Sequence, residues 1–141
     1  MKYMILTYGT QLDYDEMGGA ETGRPAWTPE EAAAMGEFMA AFTAKLAESG
    51  ELVETRALAA PVLTRRVAPD LRSGLPVVTD GPYAETQEVL AGYWIVDVDG
   101  IDRATEIAAM LNDTPAPAHV RAGAYADVRP LMDERAELLE S

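Results

Sequence analysis

The segment TDGPYAETQE (residues 79–88), followed by the apolar run GYWIVDVD (residues 92–99), decides the fold of this chain. Asp-Gly-Pro interrupts regular structure, because glycine tolerates positive φ, proline fixes φ and lacks an amide hydrogen, and aspartate accepts hydrogen bonds within its own turn. In the run that follows, alternate residues from Trp94 to Val98 are apolar and share one face, whereas the alternate residues from Tyr93 to Asp97 share the other. The segment therefore predicts a turn leading into a central strand with one face toward helices and one face suited to a pocket or a wet interface.

The elements around this strand are predicted in the order β, α, β, hairpin, β, α, β. A capping box at Thr28-Pro29-Glu30-Glu31 begins a helix whose Met and Phe residues recur at helical spacing, and Ser49-Gly50 ends it. The predicted strands are 2–8, 51–58, 92–99 and 119–128, the hairpin is 61–67 with 75–79, and the second helix is 99–112. Residues 9–27 are predicted to be a long loop of the kind that acts as a lid or binding segment.

This order predicts an α+β fold, a sandwich of ferredoxin-like type with an added hairpin. One domain is expected over residues 1–133, with a charged C-terminal tail at residues 134–141. Both helices would cover the same face of the sheet. Because the strands are apolar on both faces, we expect the same face of a second subunit to cover the other one, which gives a homodimer.

The composition indicates which kinds of binding partner and which cellular compartment to expect. The chain has 24 acidic and 11 basic residues, a net charge of −13, which disfavours direct contact with nucleic acid or with an anionic membrane surface. It has no cysteine, which excludes disulfides and cysteine zinc sites and fits a reducing cytoplasm. The apolar run at residues 3–6 is too short for a signal peptide, and no stretch reaches membrane-spanning length, so we expect a cytoplasmic protein.

Asp80 and His119 are the candidate catalytic residues. Asp80 has two interpretations, either a turn residue bonded to its own backbone or a carboxylate at the mouth of a cleft that acts as a general base or binds a cation. His119 is the one histidine of the chain, and histidine is the residue whose ordinary pKa lies nearest neutrality. It is either a structural residue or the group that would carry a proton at neutral pH.

Carboxylates near the turn raise the question of a metal site. Glu85 and Glu88 are three residues apart and, with Asp80, would offer several oxygen ligands. No spacing in the chain matches a dedicated metal or cofactor motif, so the sequence predicts neither a metal nor a cofactor.

A ligand site is predicted on the sheet face, either between subunits or under the segment 9–27. Arg129 has two interpretations, a clamp for an anionic ligand or an internal partner of Asp97 or Asp127. The strand tyrosines either line the pocket or simply pack. The residues predicted to bind the ligand are Tyr8, Tyr83, Glu88, Tyr93 and Arg129.

The segments MKYMIL (residues 1–6), VTDGPYAETQE (residues 78–88) and DVRP (residues 127–130) together resemble the DGPF-motif branch of the YCII-related domain family, over about residues 1–133. Tyr83 replaces the phenylalanine of the motif's name, Gln87 stands where lysine is usual, and Asp127 stands where glutamate is usual. The resemblance implies a dimeric α+β barrel but no established reaction.

The resemblance also bears on the site and on partners. A His/Asp pair proposed as an active site in the YciI-like branch does not transfer, because the first predicted helix, residues 28–48, contains no histidine. Some members resemble partners of extracytoplasmic-function sigma factors. Two functions follow: a small-molecule site with acid/base chemistry, and a non-enzymatic dimer that acts through a protein partner such as a sigma factor. Whether the protein is an enzyme stays open.

Overall fold

The computed structural model describes residues 1–132 and has the alternating helices and strands of an α+β fold, which confirms the predicted class. The predicted tail, and the domain boundary at residue 133, lie outside the described residues. The strands are β1 (Lys2–Gly9), β2 (Leu52–Ala57), β3 (Arg65–Pro69), β4 (Pro76–Asp80), β5 (Val89–Asp97) and β6 (Ala126–Pro130). The helices are α1 (Gln11–Met17), α2 (Pro29–Glu48), α3 (Ile101–Met110) and α4 (Ala118–Gly123), with short 3-10 turns at Pro61–Leu63 and Leu111–Asp113.

Four strands form one antiparallel sheet in the order β2-β5-β1-β6, and β3 and β4 form a separate antiparallel hairpin. The central pair is β1 and β5, in which Ile5 lies opposite Trp94. The run that begins at Gly92 therefore forms most of the central strand β5, as its alternation predicts.

Helix α2 begins where its sequence signal predicts. The Glu31 amide donates to the Thr28 hydroxyl at 3.1 Å, and the Thr28 amide donates back to the Glu31 carboxylate at 3.0 Å. Pro29 occupies the first turn, where a missing amide hydrogen costs nothing. The reciprocal pair satisfies two amides that would otherwise lack partners at the helix start.

The core lies between one face of the sheet and the helices α2 and α3. The Phe42 ring meets the Trp94 ring edge-on with centroids 5.2 Å apart, and the Trp94 indole donates to the Thr43 hydroxyl at 3.1 Å. The buried core residues are Tyr3, Ile5, Phe42, Leu46, Trp94, Val96, Val98, Ala104, Ile107 and Ala108. Helices on one face and a buried face on β5 agree with the sequence analysis, whereas Ile101, the first residue of α3, is 49% exposed.

Two predicted elements are wrong. The segment 9–27 contains helix α1, which begins at a capping box formed by Thr10 and Asp13. His119 lies on the short helix α4 rather than in the last strand, which begins only at Ala126. Pro117 precedes α4 and sets the backbone direction for a helix start, and Ala118 to Ala122 lack the alternation of a strand.

Within residues 1–132, no helix combines the length and the apolar character needed to cross a lipid bilayer.

Candidate functional site

A cleft of about 1510 Å³ lies between the helix-covered face of the sheet and the helices α1, α2 and α4. Its walls include Trp27, Met35, Met39 and Leu111, and Gly92 lies on its floor. A Cβ at Gly92 would lie 3.1 Å from the Arg56 carbonyl oxygen of the neighbouring strand β2, so glycine accommodates the close approach of that backbone. The lining of the cleft is thus mainly apolar.

Glu16 and His119 form a pair at the wall of this cleft. The Glu16 side chain is completely buried, whereas the His119 side chain is 27% exposed and lines the cleft. Their closest atoms, His119 Nε2 and Glu16 Oε2, are 3.4 Å apart. Since α1 carries Glu16 and α4 carries His119, the pair joins two helices that are distant in sequence.

Two further groups hold the Glu16 carboxylate. The Arg24 guanidinium donates from Nε to Oε1 at 2.6 Å, and the Thr22 hydroxyl donates to the same oxygen at 2.7 Å. Burial raises the pKa of Glu16, but the hydrogen bonds from Thr22, Arg24 and His119 and the positive charge of Arg24 outweigh it, so the pKa is lowered overall. Glu16 is therefore ionised at neutral pH despite its burial.

An ionised Glu16 defines the proton positions on His119. A carboxylate only accepts hydrogen bonds, so the hydrogen of a neutral imidazole is assigned to Nε2, which faces it. Nδ1 then has a free lone pair, and within residues 1–132 it has no hydrogen-bond partner. This tautomer makes Nδ1 the proton acceptor of the pair.

Backbone contacts fix α1 and the segment after it. The Tyr14 hydroxyl donates to the Leu58 carbonyl at 2.8 Å, and the Gln11 side chain accepts from the Val62 amide at 2.9 Å. The Trp27 amide donates to the Glu16 carbonyl at 3.1 Å, which folds residues 18–27 back over the helix. These contacts position the carboxylate and one apolar wall of the cleft together.

A pair of tyrosines lies at the rim of the cleft. The rings of Tyr8 and Tyr125 stack with centroids 5.2 Å apart; Tyr8 donates to Asp127 at 2.6 Å, and Tyr125 donates to Glu88. The hydrogen bond to Glu88, burial and nearby negative charge raise the pKa of Tyr125 to about 12, and the bond to Asp127 raises the pKa of Tyr8. Both phenols stay protonated at neutral pH, so they act as rigid donors rather than bases.

Three predicted site residues, Tyr8, Glu88 and His119, line the cleft. Asp80 does not: its side chain is 82% exposed on the β3–β4 hairpin and faces Arg65 at 3.3 Å. Neither interpretation of Asp80 describes it, because within residues 1–132 its carboxylate neither enters the cleft nor bonds its own turn.

The other three predicted ligand residues lie elsewhere. Tyr83 borders a small groove of about 360 Å³ and lies under the Arg66 guanidinium, 5.3 Å from the ring centroid. Tyr93 donates to Glu54 at 3.3 Å on the sheet face opposite the helices. Arg129 is exposed on β6 and, in the described part of the chain, forms neither of the ion pairs considered for it.

The described residues contain no group of three or more His, Asp or Glu side chains that would hold a metal ion. Glu85 and Glu88 flank a turn rather than one helix face, so the geometry that would have gathered their carboxylates with Asp80 is not formed.

Sequence analysis missed the residue that contacts His119 and two residues that contact Glu16 in turn. Glu16, Arg24 and Trp27 all fall in the segment predicted as a loop. One signal was available: Thr10 and Asp13 have the spacing of a capping box, with aspartate in the position where glutamate or glutamine is more usual. It would have predicted a helix carrying Glu16.

The fold and site define an α+β domain with a cleft between its sheet and its helices. A family model, the YCII-related domain, matches residues 1–132, and the chain belongs to this family. It is also similar to an uncharacterised protein, R00369, from Rhizobium meliloti (strain 1021), with 33% identity over 133 residues, covering 93% of this chain and 92% of that protein.

Proposed function

We propose that this protein binds a small organic molecule in the cleft and that His119 exchanges a proton with it. The observation that carries the proposal is the contact between His119, which lines the cleft, and the carboxylate of Glu16, which is completely buried and ionised. A buried charge is retained only where other groups compensate for its lost hydration, and here those groups also fix a histidine beside open space.

The proposed chemistry uses Nδ1 of His119 as a general base. Glu16 does not line the cleft, so it is a positioning residue that holds the Nε2–H tautomer and stabilises the imidazolium after proton uptake. The hydroxyl groups of Tyr8 and Tyr125, whose phenols stay protonated, orient the carboxylates at the rim.

The shape of the cleft favours a small organic ligand. Small-molecule sites typically enclose about 300 to 1,000 Å³ and combine apolar walls with a few placed polar groups. This cleft exceeds that range, and its mainly apolar lining includes His119 together with the charged residues Asp13, Arg24, Arg56, Glu88 and Arg121. A ligand with an apolar body and a few polar groups, one of which carries an exchangeable proton, fits this arrangement.

We also propose that the protein is a homodimer in the manner of a dimeric α+β barrel, and that it belongs to the DGPF-motif branch. The sheet face opposite α2 and α3 carries the half-buried apolar residues Met4, Leu6 and Ile95. An apolar strip of this kind on an open sheet face supports a second copy as its cover.

A second function is supported by the surface charge. With a net charge of −13, the protein offers an acidic surface to a basic partner, and a non-enzymatic dimer that acts with a protein such as a sigma factor would use it. This alternative predicts that cleft variants leave partner binding unchanged.

The test is a thermal-shift screen of small carbonyl and hydroxy compounds against the wild-type protein, His119→Ala and Asp80→Asn. A ligand that binds only the folded state raises Tm, and the rise grows with the logarithm of the ratio of ligand concentration to Kd above saturation. We expect a compound that stabilises the wild type and Asp80→Asn but shifts Tm of His119→Ala by less than half as much.

Nitrogen NMR of the imidazole tests the role of Glu16. The wild type should show the Nε2–H tautomer, and Glu16→Gln should lose this preference because an amide offers both donor and acceptor. A ligand that binds His119→Ala as tightly as wild type, or a mixture of tautomers in the wild type, would refute the proposed proton transfer.

A further inference from the structure

The chain has two tryptophans, and the hydrogen bonding of their indole groups differs. Trp94 belongs to the hydrophobic core, and although it also borders the cleft, its indole N–H donates to the Thr43 hydroxyl at 3.1 Å. Trp27 is 7% exposed, but it lies outside the core cluster and forms part of the cleft wall. Within residues 1–132, the indole N–H of Trp27 has no hydrogen-bond acceptor.

A tryptophan buried to this degree normally has an acceptor for its N–H, because indole Nε1 is a donor only. In the described part of the chain, no side-chain nitrogen or oxygen atom that is completely buried lacks a partner. Nε1 of Trp27 therefore reaches open space, and the open space that Trp27 borders is the cleft. This N–H is available to a molecule bound there.

Several other donors in the cleft wall are already used. Six hydroxyl groups that line the cleft donate to acceptors inside the protein, and a ligand would have to break these bonds to use them. They belong to Thr7, Tyr8, Tyr14, Thr55, Thr114 and Tyr125. The Trp27 N–H meets a ligand acceptor without breaking any hydrogen bond within residues 1–132.

Glu16 joins this donor to His119. Its backbone carbonyl accepts from the Trp27 amide at 3.1 Å, and its carboxylate lies 3.4 Å from Nε2 of His119. Both Trp27 and His119 line the cleft. A proton acceptor, Nδ1 of His119, and a hydrogen-bond donor, Nε1 of Trp27, are therefore offered to the same ligand.

We propose that the ligand is a carbonyl compound with a hydrogen on the carbon next to the carbonyl group, and that the Trp27 N–H binds its oxygen. This inference rests on the proposed role of His119 as a base. Nδ1 of His119 takes the proton from that carbon, the electron pair of the C–H bond forms the C=C bond of an enolate, and the carbonyl π electrons move to oxygen. The Trp27 N–H donates to the oxygen as it becomes negative, and the imidazolium then returns the proton to the enolate.

The two tryptophans allow a direct test, because each gives one indole N–H signal in the NMR spectrum. The probes are benzylacetone and phenylpyruvate, which each combine an apolar body with a carbonyl group. With a probe at about ten times its Kd, exchange of the Trp27 N–H with water should slow about tenfold, because the unbound fraction falls to about one-eleventh. The Trp94 N–H, already bonded to Thr43, should keep its exchange rate. If neither probe slows exchange at Trp27, the proposal is overturned.

Variants test the contribution of the donor to binding and to chemistry. Trp27→Phe removes the N–H but keeps an aromatic wall, and it should raise the Kd of the probe about threefold to tenfold. It should also slow deuterium incorporation next to the carbonyl on the order of 100-fold, since it removes a donor to a developing oxyanion. The matched control, Trp94→Phe, removes an N–H that already has an acceptor, so it should change neither value by more than about twofold.

The outcomes separate this inference from the proposed function. Deuterium incorporation that requires His119 but is unchanged in Trp27→Phe would overturn the role of Trp27 and leave that of His119 standing. Incorporation that is unaffected by His119→Ala would refute the proton transfer, and this inference with it. If Trp27→Phe does not fold, exchange of the indole N–H in the wild-type protein decides.

Discussion

Two of the carboxylates that lie beside an arginine, Glu16 and Asp80, differ in almost every physical respect. Glu16 is completely buried and accepts from Arg24 at 2.6 Å, whereas Asp80 is 82% exposed and lies 3.3 Å from Arg65. Burial of a charge requires hydrogen bonds that replace its hydration, and among residues 1–132 Glu16 has three donors where Asp80 has one partner.

The difference teaches that the solvent exposure of an ion pair, rather than its mere presence, decides how much the pair contributes to stability and to the geometry of a site. In water, the attraction between two unit charges 4 Å apart is about 1 kcal/mol, and it rises steeply as the effective dielectric constant falls. The Arg24–Glu16 contact therefore stabilises the buried carboxylate that holds His119 at the cleft. The Arg65–Asp80 contact lies in water on the β3–β4 hairpin and contributes little to stability.

The largest expected effect comes from removing each arginine. Arg24→Ala leaves the Glu16 carboxylate buried without its counter-ion, so we expect the free energy of unfolding to fall by about 3 kcal/mol. Arg65→Ala removes an exposed pair and should change it by less than about 0.5 kcal/mol. Urea unfolding of both variants measures the two values, and a cost for Arg24→Ala below that for Arg65→Ala would break the comparison.

A smaller fall in the free energy of unfolding is expected for Glu16→Gln, because this variant removes the buried charge instead of leaving it without a counter-ion. The Thr22 hydrogen bond survives this change, so we expect a loss of about 1 to 2 kcal/mol at pH 7. Because the folded-state pKa of Glu16 is lowered, its ionisation stabilises the protein above the unfolded pKa of about 4.5, and this contribution disappears as the pH falls further.

The pH dependence of stability tests the ionisation of Glu16. Between pH 7 and pH 3, Glu16→Gln should lose less stability than the wild type. Part of the wild-type slope will remain in Glu16→Gln, because the hydrogen bonds from Arg103 and Ser49 lower the pKa of Glu51 to about 2. Parallel curves for wild type and Glu16→Gln would contradict the assignment of Glu16 as the ionised group.

The same contrast explains what the sequence could predict. Helix α2 was predictable because its start signal and apolar period are both local, and the face of β5 was predictable because its alternation is local. Helix α1 has only seven residues, too few to show a clear helical period, so its glycine-rich surroundings dominated the prediction.

The site was less predictable for a different reason. Glu16 is buried by Arg24, eight residues away, and by His119, 103 residues away, and neither partner follows from a local pattern. The Asp-Gly-Pro pattern predicts a break in the backbone but not the position of the Asp80 carboxylate, which lies in water. His119, predicted as a site residue from the chemistry of histidine, lines the cleft, although it lies on a helix rather than a strand.

The smallest expected effect is that of Asp80→Asn, and its neighbour provides the contrast. Gly81 has φ of +53°, a conformation that an L side chain adopts at a cost, so Gly81→Ala should lower the free energy of unfolding by about 1 kcal/mol. Asp80→Asn removes only an exposed ion pair, so it should change that energy by less than about 0.5 kcal/mol and leave the occupancy of the cleft unchanged. Chemical denaturation of the two variants, with thermal shift by any ligand found for the cleft, separates the roles. If Asp80→Asn loses ligand binding while its stability is unchanged, the Asp80 carboxylate belongs to the functional site. If only Gly81→Ala loses ligand binding, the motif acts through the backbone of its turn.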